Sequence, residues 1–447
     1  MRRRTLTALA GALTLSLVTG CAQGDSTGTS SNTVAYWLWD ANQLPAYQAC
    51  AKGFEQENPG LKVKITQLGW SDYWTKLTAG FIAGTQPDVF TDHIQNFGQF
   101  VDLKVLEPLD DLGIKDSDYQ PGLAANWIGK DGHRYGAPKD WDTVALFYNE
   151  TMVKDAGLTA DRLNTLSWNP KDGGTFEKAI AHLTIDRKGK RGDEPGFDKN
   201  NVKVYGLATN GGGFGDGQTQ WSNFAASAGW SYLDKPRWGT RYQYDSETFQ
   251  SVIQWYFGLA KKGYMAPLSD YNIQSNQANT QVAAGKAAAA FDGAWMISTY
   301  AGFQGKDIKT ALTPVGPTGR RATMMNGLAD SITKASRNKE GARKWVAYLA
   351  SDACQTVVGR HGVVFPATEA GTEAAVAAYE KKGVDVSAFT EPVADKKHFR
   401  TFSYPIASYS ADMTALMAPA MEDIYGNGKP VSSLNQTNDQ INLILSQ

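Results

Sequence analysis

Residues 281–300 read QVAAGKAAAAFDGAWMISTY. An apolar turn ends at Gly285, where a helix C-cap is expected, and Ala287 to Phe291 follow as a short buried strand bounded by turn residues. Asp292-Gly293 breaks that strand, which sets Trp295 at its C-terminal edge, where open α/β sheets bind ligands. A tryptophan there is either core or a flat platform for a ligand, and composition alone leaves both readings open.

Working outward, Thr248 to Lys262 is an amphipathic helix through Phe249, Val252, Ile253, Tyr256 and Leu259, ended by Gly263. Downstream, Ile308 to Val315 is a strand, Glu340 to Ala350 a helix burying Trp345, Val346 and Leu349, and the chain from about Thr368 is mostly helical. At the other end, Thr33 to Trp39 is a β-branched and aromatic strand, left by the polar loop Trp39-Asp40-Ala41-Asn42. Pro45 starts a helix carrying Tyr47, Cys50, Ala51 and Phe54, Asn58-Pro59-Gly60 stops it, and LKVKITQL (61–68) alternates as a half-buried strand. Tyr73 to Gly84 is the next helix and Pro87 to Phe90 a short strand ending in Thr91-Asp92, so the alternation predicts a parallel, helix-covered sheet. Thr175 is placed to cap a helix through Ala179, Ile180 and Leu183, and the charged, Gly-rich run that follows, up to Asn201, reads as surface. NGGGFGDG (210–217) fits neither GxGxxG nor the Walker pattern and reads as a flexible loop on the ligand side. Tyr73, Trp221 and Trp230 read as core.

At 447 residues and 42% hydrophobic content the chain is too long for one compact core, and two domains are the default. A net charge of -1 gives no reason to expect nucleic acid or an acidic surface as partner. Aromatics, at 11%, exceed what core packing needs and gather near predicted loops. Residues 1–20 have the form of a signal segment: Arg2-Arg3-Arg4, an apolar run from Leu6 to Val18 too short to span a bilayer permanently, then small residues. Leu17-Val18-Thr19-Gly20-Cys21 resembles the bacterial lipobox, in which the cysteine is lipidated and becomes the first mature residue. Export to the outer face of the cytoplasmic membrane with an anchor at Cys21 follows, by either the general secretory or the twin-arginine route. Residues 21–32 are a small polar tether. Cys50 and Cys354 remain; an exported setting favours pairing them, although spacing does not show proximity. Five scattered histidines with no HExxH and no CxxC give no metal site, and no cofactor is expected.

FEQENPGLKVKI, TQPDVF, GKDGHRYGAPKD with its Asp-Gly turn, ALFYNETMVKDAGL, GKAAAAFDGAW, EGARKWVAYLAS and GVVFPA occur in that order. The ordered set, across nearly the whole mature chain, resembles the extracellular solute-binding proteins of ABC importers, in the group that includes maltose-binding protein. The resemblance implies an α/β fold of two lobes with three interdomain crossings. Lobe 1 takes 33–139 and 324–367, and lobe 2 takes 140–323 and 368–447. It implies a monomer that captures a sugar or oligosaccharide by lobe closure and delivers it to ABC permease subunits, without catalysis. Cys50 and Cys354 would then fall in the same lobe, as a disulfide.

A sugar has an apolar face and a hydroxyl edge, so its site needs aromatic platforms and a few placed polar groups. By resemblance Trp295 matches the family's cleft tryptophan. Asp140, Trp141 and Asp142 come next, at the first crossing; Trp39, Asp40, Trp70 and Asp92 follow on first-lobe loops, then Asn326 at the second crossing, Arg360 before the third, and Tyr404 or Tyr409. Asp140 and Asp142, two apart on a strand and roughly 7 Å from each other, would also suit the acid and base of an exported glycosidase. A receptor for a non-sugar solute, such as a polyol, a glycerophosphodiester or an amine, is the other alternative; a phosphodiester would want a convergent basic cluster, which is not visible.

Overall fold

The computed structural model describes residues 32–211, 215–271 and 277–447; the expected signal segment, Cys21 and the tether up to residue 31 lie outside the described residues. The chain opens with β1 (Thr33–Leu38), α1 (Leu44–Glu57), β2 (Lys62–Gln67), α2 (Trp70–Ala83), β3 (Val89–His93) and α3 (Ile94–Asp102). In β1 the alternation of TVAYWL buries Val34, Tyr36 and Leu38 on one face. Gly84 ends α2 in the left-handed conformation, at φ 71°, which a Cβ would disfavour.

Two sheets carry the molecule. The first runs β12-β4-β11-β3-β1-β2, with β4 Ala137–Asp142, β11 Asn326–Ile332 and β12 Phe365–Pro366. The second runs β6-β7-β8-β5-β9, with β5 Val144–Asn149, β6 Ile185–Asp186, β7 Val202–Leu207, β8 Ala287–Gly293 and β9 Ile308–Ala311. A parallel pair, β10 (Arg321–Met324) and β13 (Phe399–Phe402), lies beside them. In the first sheet the expected parallel pairing holds only for β1, β2 and β3; β11 is antiparallel to both β3 and β4. Parallel pairing needs a crossover of about a dozen residues or more. β11 instead arrives from β10 outside the sheet and runs back along it.

Two passages between sheets are single residues. Thr143 alone separates β4 from β5, and Met325 alone separates β10 from β11. The two passages are tied together: the Val144 N–H donates to Thr323 Oγ1 at 2.8 Å, and that hydroxyl donates to Val144 O at 3.0 Å. Cys50 on α1 is disulfide-bonded to Cys354 on the helix Asp352–His361, with Cα atoms 5.2 Å apart. The helix Glu369–Lys381 packs on that same helix, where Gly359 approaches the Gly371 carbonyl so closely that a Cβ would lie 2.2 Å from it.

Several local expectations change. α2 begins at Trp70, so Trp70 stands on a helix and not in a loop. Asp92 lies within β3 and is fully buried. Thr175 caps nothing: the helix Gly174–Leu183 is led by Gly173 at φ 72°, and Thr175 Oγ1 accepts the Ser167 N–H at 2.8 Å. The strand expected to reach Val315 stops at Ala311. In the charged loop, Asp186 is buried and gathers the N–H groups of Lys188, Lys190 and Asp198, so part of it folds on an internal carboxylate. Tyr73, Trp221 and Trp230 are core side chains.

Candidate functional site

The strand ends of both sheets face a cavity of about 600 Å³, within the range of about 300–1,000 Å³ usual for small-molecule sites. One wall is aromatic. Trp39 leaves β1 and meets Trp70, with ring centroids 5.1 Å apart and planes at 85°. Trp70 lies 5.6 Å from His93, and His93 lies 5.4 Å from Tyr404, so indole, imidazole and phenol rings follow one another edge to face. Trp295 enters from the second sheet, in the turn Ala294–Met296 directly after β8. Its indole folds back over the strand end, because a Cβ on Gly293 would fall 1.9, 2.1 and 2.2 Å from three ring atoms. The glycine before it therefore sets its orientation.

The polar groups come from β4 and β11. Asp140 and Asp142 share a face of β4 by strand alternation, and Asn326 sits opposite Asp142 in register. All three line the cavity and all are buried. Asp140 Oδ2, Asp142 Oδ1 and Asn326 Oδ1 nevertheless have no hydrogen-bond partner. Leaving such atoms unmade costs about 1–3 kcal/mol each, so they are poised for groups a ligand brings. Asp40 is already engaged, accepting from the Asn42 N–H at 2.8 Å and Gln43 Nε2 at 3.1 Å.

Burial pushes the Asp140 carboxyl up to about 7, against the pull of Lys139. It lifts Asp142 well above the usual carboxylate range, with the neighbouring Asp140 charge adding to it and Asn326 opposing. His93 is driven by burial down to about 3 and stays neutral. Lys139 takes the other face of β4. Its ammonium donates to Tyr36 Oη at 2.9 Å, lies 3.9 Å from Asp330 Oδ1 and sits 3.3 Å over the Tyr47 ring. On the second-sheet side, Gln218 Oε1 accepts from Tyr404 Oη at 2.7 Å, and Gln95 Nε2 on α3 donates to Asp216 Oδ2 at 2.9 Å, joining the two walls.

Of the residues singled out in the sequence, Trp39, Asp40, Trp70, Asp140, Trp141, Asp142, Trp295, Asn326 and Tyr404 line this one cavity. Trp141 is largely wall, stacked on Phe365 at 4.8 Å and donating to Thr372 Oγ1 at 3.0 Å. Asp92 accepts from Ser331 Oγ inside the first sheet, away from the cavity lining. Arg360 is exposed in the last turn of Asp352–His361, outside the lining, and Tyr409 leads the helix Ser410–Tyr425, where its N–H donates to Asp102 Oδ2 at 3.2 Å. The lining also includes His93, Gln95 and Gln218, which the sequence did not single out. His93 closes β3 and had the same strand-end signal as Trp295. The two glutamines had none. Gly215, from the glycine-rich loop, reaches the lining, while residues 212–214 lie outside the described residues. Among the described residues no group of three or more His, Cys, Asp and Glu is arranged to hold a metal ion.

A binding protein of Brucella abortus strain 2308 is 24% identical, with 98% of each chain covered. The maltodextrin-binding protein of Bacillus subtilis strain 168 is 25% identical over 67% of this chain and 65% of its own. Among solved structures, the ABC substrate-binding protein of Listeria monocytogenes in complex with cycloalternan superposes with a TM-score of 0.74 at 20% identity, covering 93% of this chain and 99% of that one. That likeness places the two sheets in the two-lobe architecture of binding proteins. Residues 40–356, well over half of the chain, match the family described as bacterial extracellular solute-binding protein, and the chain belongs to that family.

Proposed function

We propose that the protein is the solute-capturing component of an ABC importer and that its ligand is a sugar or oligosaccharide. The observation that carries the reading is the pairing of aromatic surface with unsatisfied acceptors in one cavity: Trp295 facing a wall of Trp39, Trp70, His93 and Tyr404, beside the free oxygens of Asp140, Asp142 and Asn326. Indole faces suit the C–H face of a pyranose, and carboxylates suit its hydroxyls, since hydrogen bonds to charged acceptors are the stronger ones. The maltodextrin relative and the cycloalternan complex support this choice of solute. A phosphodiester is disfavoured, because among the described residues no Lys or Arg lines the cavity. Ligand touching both lobes stabilises the closed form by its differential affinity, and the permease reads that form. In this reading the protein is a monomer held outside the cell by lipidated Cys21, and Asp140 and Asp142 bind without catalysing.

Thermal unfolding of the full chain against mono-, di- and trisaccharides tests this. A ligand at 100 times its dissociation constant adds about 2.7 kcal/mol. Stabilisation by a saccharide, weakened about thirtyfold in Trp295→Ala by loss of a central aromatic anchor worth about 2 kcal/mol, is expected. Response to non-sugars alone, or turnover of a chromogenic glycoside, would refute the proposal.

A further inference from the structure

We infer that the cavity selects an amine-bearing saccharide, with the sugar's ammonium group held between Asp140 and Asp142. The inference rests on the sugar-receptor reading and narrows it. Three carboxylates, those of Asp40, Asp140 and Asp142, line the cavity, and among the described residues no Lys or Arg joins them. Asp40 has its own donors in Asn42 and Gln43. Asp140 and Asp142 have one free oxygen each, on the same face of β4. Neutral hydroxyls could fill those positions, but they would leave two adjacent buried carboxyls with no positive charge inside the cavity, Lys139 acting on Asp140 only from the other face of the strand.

The cations that could have served are committed elsewhere. Lys139, the nearest, is turned to the opposite face of β4 and shared by Tyr36, Tyr47 and Asp330. His93, on β3, contributes no charge, since its Nδ1 accepts the Gln95 N–H at 3.1 Å and burial keeps the ring neutral. β11 presents only the Asn326 amide to Asp142, at 3.4 Å. Asp216 across the cavity is taken by Gln95 and Thr414. Burial raises both carboxyls; Lys139 only partly offsets it at Asp140, and at Asp142 the Asp140 charge adds to it. An ammonium group supplies the missing charge and up to three donors for the two free oxygens, while Trp295 and the Trp39–Trp70 wall hold the ring that carries it. An anionic sugar would meet like charge.

The test is titration calorimetry of the full chain at pH 7.5 with glucose, its 2-, 3- and 6-amino-deoxy derivatives, their N-acetyl forms, and glucose 6-phosphate. At least one amino sugar is expected to bind about tenfold or more tighter than glucose, as a charge-assisted bond requires. Its N-acetyl form should lose that advantage, glucose 6-phosphate should bind more weakly than glucose, and binding should release protons into the buffer. Asp142→Asn and Asp140→Asn should each shrink the amine-to-hydroxyl ratio. Glucose binding as well as every amino derivative, or the phosphate ester binding best, overturns the inference. If all of these ligands are silent, the inference falls, and the response of the larger saccharides above decides separately whether the receptor reading stands.

Discussion

Replacing both Cys50 and Cys354 with alanine should destabilise the first sheet and its helices by an amount set by chain length. The bond joins residues separated by 304 positions, and that loop contains every strand of the second sheet. In the chain-entropy account a loop of this length restricts the unfolded chain by about 5.7 kcal/mol at 25 °C, while native strain and residual structure usually bring the realised value to about 2–4 kcal/mol. Both cysteines are fully buried, so the alanines also forfeit some packing. Guanidinium chloride denaturation followed by circular dichroism should show the oxidised wild type losing its advantage when reductant is added, falling to the midpoint of the double variant. Cys50→Ala alone should match the double variant, because half a bond constrains nothing. The reasoning is refuted if the unreduced, denatured wild type reacts with a thiol reagent at Cys50 and Cys354, or if the double variant lies within about 0.5 kcal/mol of wild type.

Lys139→Met removes the ammonium from between Tyr36, Tyr47 and Asp330 and leaves Asp330 buried without its cation. A loss of about 3–5 kcal/mol is expected in chemical denaturation, recovered in large part by adding Asp330→Asn. The ligand-free protein should melt higher as pH is lowered from 8 to 5. Asp92 is raised by burial to about 8, and Asp140, Asp216 and Asp292 to about 7, so the folded chain keeps protons that the unfolded chain has already released, and that stability is lost as pH rises through those values. His93, depressed by burial, opposes this below about 6.5, while Asp142 and Asp330, also raised by burial, add to it; melts that rise with pH would contradict the assignment. Cys21→Ser should move the protein from the membrane fraction into the medium, read by fractionation; retention at the membrane would remove the lipid anchor from the proposal.

The opening strands and helices were legible because each has its own local signal: Pro45 and Asn58-Pro59-Gly60 bracket α1, and alternation marks β1 and β2. Trp295 was legible for the same reason, from a strand, a break and an aromatic in sequence. Strand direction was not, because β11 lies between β3 and β4 through a route that periodicity does not encode. Trp70 looked like loop because its helix starts after Gly69, with no side-chain cap to announce it. His93 and Asp92 adjoin in sequence, yet only the first reaches the cavity; alternation at a fully buried strand leaves no polar-apolar contrast to tell the faces apart. Gln218 enters through the fold alone, by its bond to Tyr404.

Thr143 and Met325, the lone residues between consecutive strands of different sheets, are stitched side by side through Val144 and Thr323. Two such passages set next to each other give the proposed closure one axle. Turning about it would spend a few backbone dihedrals and stretch neither strand, and the Val144–Thr323 bonds, which join β5 to β10, would keep the two passages together. Asp142 adjoins that axle in the chain, and Trp295 adjoins it in space, since β8 ends on Val144 and the Ala294 N–H donates to Thr143 O at 3.0 Å. The spacing between that carboxyl and that indole is therefore set at one peptide and does not depend on how far apart the two sheets stand.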